Sequence, residues 1–422
     1  MDWKNLSKWL YPGMKVKRWV LLGVASALLV GFSLILLVGR STVDLLYDWL
    51  SSTPLYYYLV AGVSLVAGLS GLVWGFNRLA LSVTEPMEPL ERPASELIWD
   101  KRLLSKGAKV VAIGGGTGLS VLLRGLKGYT SNITAIVTVM DDGGSSGRLR
   151  REMNMLPPGD IRNCLIALAD DESRMSEIFQ HRFEQGGELE GHSLGNLIIA
   201  GLERIEGGFD LAIEETSKLL NIRGRVIPST LKNTNLVARL EGGEVLQGES
   251  TLSNHPGRIE KVELAEKAPA YPPALEEAKN ADIVVLGPGS LFTSLIPNLL
   301  VEGFAEALES ADAEKYYVTN IMTEPGETDG MSARDHLEVL SDYINVASLD
   351  NAVVNVGTAE DSILERYTGE GAELVEPDLV DDNEYGIEPL LDDLVSKVEL
   401  EGKKTIKHDH ERLAELILGS FH

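Results

Sequence analysis

The stretch KVVAIGGGTGLS, Lys109 to Ser120, decides the fold. Lys109–Ile113 is a β-branched run that reads as a short strand, and it flows into Gly114–Ser120. After it, Leu122, Leu123 and Leu126 recur at helical spacing. The same design returns three times. A strand over Ile133–Met140 ends in DDGGSSGRLRRE (Asp141–Glu152), and a strand over Asp282–Leu286 ends in GPGSLFTS (Gly287–Ser294). A strand over Tyr316–Ile321 leads to MTEPGET (Met322–Thr328). Short strands alternating with helical patterns predict an α/β fold with a largely parallel sheet, whose carboxyl-end loops converge on one crevice.

Each loop carries a chemistry. Gly114, Gly115, Gly116, Thr117 and Gly118 let backbone N–H groups approach an anion at a helix N-terminus. No Gly-Lys-Ser/Thr follows, so this is not a Walker loop, and Leu119 stands where the dinucleotide fingerprint has its third glycine. Asp141 and Asp142 end the second strand, where carboxylates serve a ribose or a divalent cation. Ser145 and Ser146 follow in the same loop, and Arg148, Arg150 and Arg151 make a local anion site or a charged helix start. In PPGDIRNCL, Asp160 is a candidate helix N-cap, with Arg162 and Asn163 off the apolar face. GHSLGNL puts His192 and Asn196 one turn apart, opposite a stripe of Leu194, Leu197, Ile198 and Leu202. His192 is read either as a packing histidine or as a functional one. Gly287 and Gly289 open the third loop, where Ser290 offers a hydroxyl. The single cysteine, Cys164, shares a helix face with Ile161, Leu165 and Leu168 and reads as a packed thiol in a reducing compartment.

With 38 basic against 63 acidic side chains, the net charge of −25 argues against nucleic acid as a partner. Ahead of the α/β part lie two uncharged stretches, Val20–Gly39 and Leu55–Phe76, each long enough as a helix to cross the ~30 Å hydrocarbon layer. Lys4, Lys8, Lys15, Lys17 and Arg18 precede the first, so the positive-inside rule predicts a cytoplasmic N-terminus. The expected organisation is a cytoplasmic 1–18, spans at 19–39 and 55–76, an external loop at 40–54, a stiff Pro/Glu linker at 77–106 and a cytoplasmic domain at 107–422. The expected location is the cell membrane.

GGGTGLS, VTVMDDGGSSGRLR, PPGDIRNCLIALA, GHSLGNL, GPGSLFTSLIPNLLV and the late KHDHERLAELI resemble, in order, the motifs of the gluconeogenesis factor family. That family groups with CofD, the 2-phospho-L-lactate transferase. The resemblance implies a Rossmann-like core and a UDP-sugar ligand, with a link to cell-wall synthesis and cell shape during gluconeogenic growth. From the CofD branch it implies a divalent metal, Mg2+, at the positions of Asp142 and Asp160. Two departures stand out: the added spans, and Lys407 where the family usually has arginine ahead of His408 and Asp409.

Two readings follow, with a third behind them. The first is a membrane-anchored module that binds a UDP-sugar and acts on cell-wall synthesis proteins. In it the glycine loops hold the diphosphate, Asp141 or Asp142 meets ribose or metal, Asn196 orients sugar hydroxyls, and Arg148 and Lys407 supply charge. Tyr367 offers a stacking surface. The second is a metal-dependent transferase acting on a nucleotide-diphosphate donor, with His192 or His408 as the base. The third is an NAD-binding oxidoreductase, which lacks the full fingerprint. A homo-oligomer is compatible with all three.

Overall fold

Seven strands lie side by side in the order β3–β2–β1–β7–β8–β9–β10, every pair parallel. They are β1 (Val110–Gly114), β2 (Ile133–Val137), β3 (Arg225–Pro228), β7 (Ile283–Leu286), β8 (Glu314–Val318), β9 (Asn351–Asn355) and β10 (Glu388–Asp392). Between β3 and β7 the chain builds a small antiparallel sheet from β4 (Leu236–Leu240), β5 (Val245–Gln247) and β6 (Ile259–Leu264). After β10 come the hairpin strands β11 (Val395–Leu400) and β12 (Lys403–His408). This computed structural model describes residues 17–38, 54–84, 103–185, 187–252, 255, 257–380, 383–400 and 403–419. The chain divides into two units, Met1–Asp100 and Lys101–His422.

The α/β unit confirms the predicted fold class, and side-chain alternation explains its three layers. Val110, Ala112, Ile133, Ala135, Val137, Ile283 and Val285 face one way and pack with the Gly116–Leu126, Gly159–Leu168 and His410–Leu418 helices. Val111, Ile113, Ile136, Val284 and Leu286 face the other way, against the Pro272–Lys279 and Ala333–Ser341 helices. Both faces are covered, as parallel sheets require. The first three strands run outward from β1 to β3, and the chain then returns to place β7 on the other side of β1. The strand order therefore reverses between β1 and β7, the place where open α/β sheets hold ligands.

Several boundaries differ from the sequence reading. β2 stops at Val137 and β8 at Val318, because the residues beyond turn into the crevice. On the Leu194–Glu206 helix the inward face is Gly195, Asn196, Ile199 and Ala200, while Leu194, Leu197, Ile198 and Leu202 are only partly covered. Asn196 displaces the leucines from the buried side because it has polar partners there, described below. Cys164 is buried with Ile161, Leu165 and Leu168, as expected.

The N-terminal unit pairs the helices Lys17–Val38 and Pro54–Thr84. The second helix runs on to Thr84 instead of ending at Phe76. The rest of the expected linker up to residue 102, with its prolines, lies outside the described residues, as does most of the expected external loop. The helix seam combines small and polar groups with an apolar contact of Leu36 with Ala61 and Val60. A Cβ at Gly68 would sit 2.8 Å from Val30 Cγ2, and the Ser33 hydroxyl donates to Ser64 Oγ at 2.8 Å. Large apolar side chains face outward instead, with Leu28 70% and Phe76 72% exposed. Among the described residues, Tyr58–Asn77 is long and apolar enough to cross a membrane, with mean hydropathy 1.9, and Leu21–Leu36 is a shorter apolar helix.

The C-terminal helix closes the α/β unit. Asp409 caps it by accepting from the Glu411 and Arg412 amides (3.0 and 3.1 Å), and Leu413, Ala414 and Ile417 pack into the core. Close docking depends on Gly125, where a Cβ would lie 1.9 Å from the His410 carbonyl oxygen. Gly125→Ala is therefore expected to destabilise the domain by about 1–3 kcal/mol, the range for overpacking. Gly201→Ala, at a helix position with nothing within 4 Å, should be neutral or stabilising. Denaturant titration of the two variants checks the contrast, and equal midpoints would refute the close packing.

Candidate functional site

The crevice floor is built from two glycine loops in backbone contact. β1 ends at Gly114, Gly115 is extended, and Gly116 (φ +61°) starts the helix. On the neighbouring strand, Gly287 (φ +92°) leads through Pro288 to Gly289 and Ser290. A Cβ at Gly118 would lie 2.6 Å from the Pro288 carbonyl oxygen, and one at Gly115 would meet Thr138 Cγ2 at 2.7 Å and Asp160 Oδ2 at 2.8 Å. Only glycine allows this approach. Above the loops opens a cavity of about 590 Å³, lined by Gly115–Gly118, Pro288–Ser290, Asp160, Asn163, residues 320–325, Tyr367, Lys407 and His408. Sequence-predicted Gly115, Gly116, Thr117, Gly118, Asn163, Gly289, Ser290, Tyr367, Lys407, Asp160 and His408 thus meet in one place.

One wall is acidic. Asp160 lies in the first turn of the Gly159–Leu168 helix, whose N-cap is Pro158. Its carboxylate does not cap that helix. It accepts the Gly116 amide instead, so it joins this helix to the first glycine loop. Burial and the nearby charge of Asp141 raise the Asp160 carboxyl to about 7, against the opposing Gly116 bond and Arg162 charge. Glu249, which the sequence reading missed, also lines the cavity. Burial, then Asp141 and Asp160, push its carboxyl up to about 9, and it shares a hydrogen bond with Asp141. Asp142 turns away: its Oδ1 accepts the Ser250 amide at 2.8 Å, and a Cβ at Gly248 would touch its Oδ2 at 2.1 Å. Asp141, rather than Asp142, is the carboxylate that acts on Asp160. Among the described residues, no group of three or more His, Cys, Asp or Glu is arranged to hold a metal ion unaided.

The opposite wall holds the cation and the aromatic ring. Lys407 lines the cavity, and its ammonium is held below the ordinary lysine range by burial and by the Arg124 charge. Among the described residues no carboxylate stands against it. His408 is buried, and its Nε2 lies 3.1 Å from the Thr319 carbonyl oxygen. Burial lowers its pKa to about 4, so the ring is neutral with the proton on Nε2. Tyr367 accepts the Ile406 amide on its hydroxyl at 3.1 Å, and Arg366 stacks 5.0 Å from its ring centre. Glu324 accepts from the Ser290 hydroxyl, and burial raises its carboxyl. It falls in the MTEPGET loop, which the sequence singled out without naming the residue.

Other predicted residues form a buried network behind the site. The Ser145 hydroxyl lies 2.9 Å from His192 Nδ1 and accepts from Asn196 Nδ2 at 3.1 Å. Arg162 donates to Asn196 Oδ1 (2.7 Å), Asn163 Oδ1 (3.0 Å) and Ser193 Oγ. His192 and Asn196 are 3% and 1% exposed, so both are spent on structure and do not reach the cavity. Ser146 is buried against Gly159. The arginines do not converge either. Arg148 donates to the Glu190 carbonyl (2.7 Å), while buried Arg150 ties Asn233 and Thr234 to the end of β2. Gly114 and Gly287 shape the floor from below, and no further signal for Glu249 exists in the sequence beyond a glycine ahead of it.

A family profile described as 2-phospho-L-lactate transferase CofD matches residues 110–395. The gluconeogenesis factor of Bacillus subtilis (strain 168) is 44% identical over 311 residues, covering 74% of this chain and 97% of its own. That of Halalkalibacterium halodurans is 44% identical over 317 residues, covering 74% and 96%. A relative from Clostridium acetobutylicum aligns over 420 residues at 40% identity, or 97% of this chain and 90% of its own, so the likeness extends into the N-terminal hundred residues. A crystal structure of a Bacillus halodurans protein superposes with TM-score 0.70 at 44% identity, covering 74% of this chain and all of that one. The chain belongs to the CofD family, among the members named gluconeogenesis factor.

Proposed function

We propose that this is a membrane-anchored regulatory protein that binds a UDP-sugar and links cell-wall precursor supply to cell shape during gluconeogenic growth. Lys407 is the observation that carries this reading. In a chain with 63 acidic side chains, a half-buried ammonium that has no carboxylate partner among the described residues calls for an anionic ligand. A diphosphate seated on the N–H groups of Gly115–Gly118 and Gly289–Ser290 would supply that charge. Tyr367, fixed by Arg366 and Ile406, offers a flat surface to the base. Asn163 takes the role of orienting hydroxyls that the sequence reading gave to Asn196.

The carboxyl groups of Asp141, Asp160 and Glu249 favour a second reading, a metal-dependent transferase. Mg2+ is commonly held by one or two carboxylates together with substrate phosphates, so Asp141 and Asp160 fit an ion that arrives with a diphosphate. Such an ion would offset charge on the phosphates. Turnover also needs a base: His408, titrating at about 4, is a weak one at neutral pH, so that role would fall to Asp160, whose carboxyl titrates at about 7. Lys407 keeps binding as the first reading.

The helix pair supports the anchoring. Serines and glycines inside with leucines and phenylalanines outside is the arrangement that hydrocarbon, not water, stabilises. Protease added to intact cells is expected to reach only residues 40–54. Cleavage within 107–422 under those conditions would exclude the cytoplasmic placement.

Ligand choice is tested by thermal melts of the full chain in detergent. A UDP-sugar at a hundred times its dissociation constant should add about 2.7 kcal/mol, more than NAD or GTP adds. Lys407→Met should weaken binding at least about tenfold while stabilising the free protein. Because the folded-state pKa of Lys407 is lowered, its charge opposes folding at every pH below that value. The penalty vanishes only above the ordinary lysine range. Lys407→Arg should keep binding. A larger shift with NAD, or a Met variant that binds normally, would overturn the reading.

Asp160 has the opposite charge logic and its own test. Its carboxyl titrates near 3.8 when unfolded and at about 7 when folded, so the folded state holds more protons between those values and stability falls as pH rises through them. Asp160→Asn should remove that fall and should also lower any Mg2+ dependence of UDP-sugar binding. Unchanged pH and Mg2+ titrations would remove Asp160 from the site.

A further inference from the structure

Asn298 is fully buried, in the short Ile296–Leu299 helix that follows a π-helical turn at Leu291–Leu295. Its Nδ2 donates to the Gly114 carbonyl at 3.2 Å and to the Ser294 carbonyl at 2.8 Å. Gly114 ends β1 at the start of the first glycine loop. Ser294 belongs to the segment after the second loop, and its side chain lines the cavity. Ser294 and Leu295 in turn donate their amides to the Ser290 carbonyl at 2.9 and 3.0 Å. One amide group therefore grips both halves of the cavity floor. The Gly114 carbonyl also accepts the Thr138 amide at 2.9 Å, so it does not need Asn298 for satisfaction.

The acceptor end of the same side chain sharpens the point. Asn298 Oδ1 is buried and has no hydrogen-bond partner among the described residues. A buried unmet oxygen is destabilising, and an apolar residue of the same size would avoid it. Leu295, Ile296 and Leu299 around it are core residues, so a leucine would suit the surroundings better. What only the amide supplies is the pair of N–H bonds across the two loops.

We propose that Asn298 is the positioning residue that sets the separation of the two anion-binding loops, so that their backbone N–H groups point at one diphosphate. The inference rests on the diphosphate reading above, yet it makes a claim about the free protein that can be judged separately. Besides the Gly287 amide, which donates to the Ile113 carbonyl at the base of the loops (2.9 Å), the loops meet by steric contact: Gly118 against Pro288, and Gly115 near Ser294 Oγ at 3.4 Å for an added Cβ. These limit how close the loops come. Asn298 limits how far apart they move.

The test compares Asn298→Leu and Asn298→Asp with wild type, all as full-length protein in detergent. Amide hydrogen exchange is followed at residues 114–118 and 290–295 without ligand, and UDP-glucose affinity is measured by calorimetry. Asn298→Leu should speed exchange in both loops and weaken UDP-glucose about ten- to thirtyfold, the loss for two hydrogen bonds. Its denaturant midpoint should stay near wild type, because the unmet oxygen is removed too. Asn298→Asp covers the case in which the leucine does not fold. When ionised, its carboxylate would face two carbonyls, whereas its protonated form, which burial favours, donates one bond. UDP-glucose affinity should therefore recover on acidification relative to wild type, which a role in folding alone would not produce. Wild-type exchange in both loops, or affinity within twofold in both variants, overturns the proposal. If wild type binds no UDP-glucose, the ligand reading falls and loop exchange alone decides the role of Asn298.

Discussion

Two loops touch through their backbones, Gly118 against Pro288, and the rest of the site is arranged around that contact. It arises where the strand order reverses, because only there do adjacent parallel strands send their following segments to opposite sides and leave a gap at their ends. Closing the floor of that gap to a backbone's width requires residues without side chains. The glycines at 115, 118, 287 and 289 are thus consequences of topology before they are consequences of a ligand. Asp160 and Asn298 reach the same floor from helices on either side of it, one through the Gly116 amide and the other through the Gly114 carbonyl.

Local signals made the sheet and its loops legible. The strand-glycine-helix pattern at 109–126 predicted the parallel sheet, and its repeat at 282–299 predicted the partner loop. What stayed hidden was the pairing of polar side chains across distance. His192 lies just ahead of the Leu194–Glu206 helix and Asn196 in its first turn, and nothing nearby in sequence tells whether they meet ligand or Arg162. Asp142 and Asp141 are adjacent, and only the placement of Gly248 and Ser250, about a hundred residues on, decides which one turns toward Asp160. Glu249 stands on the antiparallel insertion between β3 and β7, whose packing over the crevice has no local signature. The C-terminal motif entered through the family resemblance alone; the Asp409 cap is local, whereas the delivery of Lys407 and His408 to the cavity depends on the Gly125 contact.

The cavity is electrostatically unsettled in the free protein. Among the described residues, a cation without a carboxylate partner faces one side, carboxyl groups crowded enough to hold their protons face the other, and an amide oxygen lies unmet beneath. Each arrangement opposes folding, and the covered sheet with its two apolar layers carries the stability that tolerates them. Ligand and fold are therefore coupled: whatever neutralises the cavity also tightens the domain.

The chain enters the α/β unit at the amino end of β1, where the Lys109 carbonyl accepts the Asp282 and Ile283 amides and the Val110 amide bonds to Asn132. The cavity opens at the carboxyl ends of the same strands. The chain thus enters the unit at the end of the sheet away from the cavity. A segment ahead of that point can be gained, shortened or lost in descent without selection on the pocket resisting the change. This accounts for a family in which some relatives align with three quarters of this chain and another with nearly all of it.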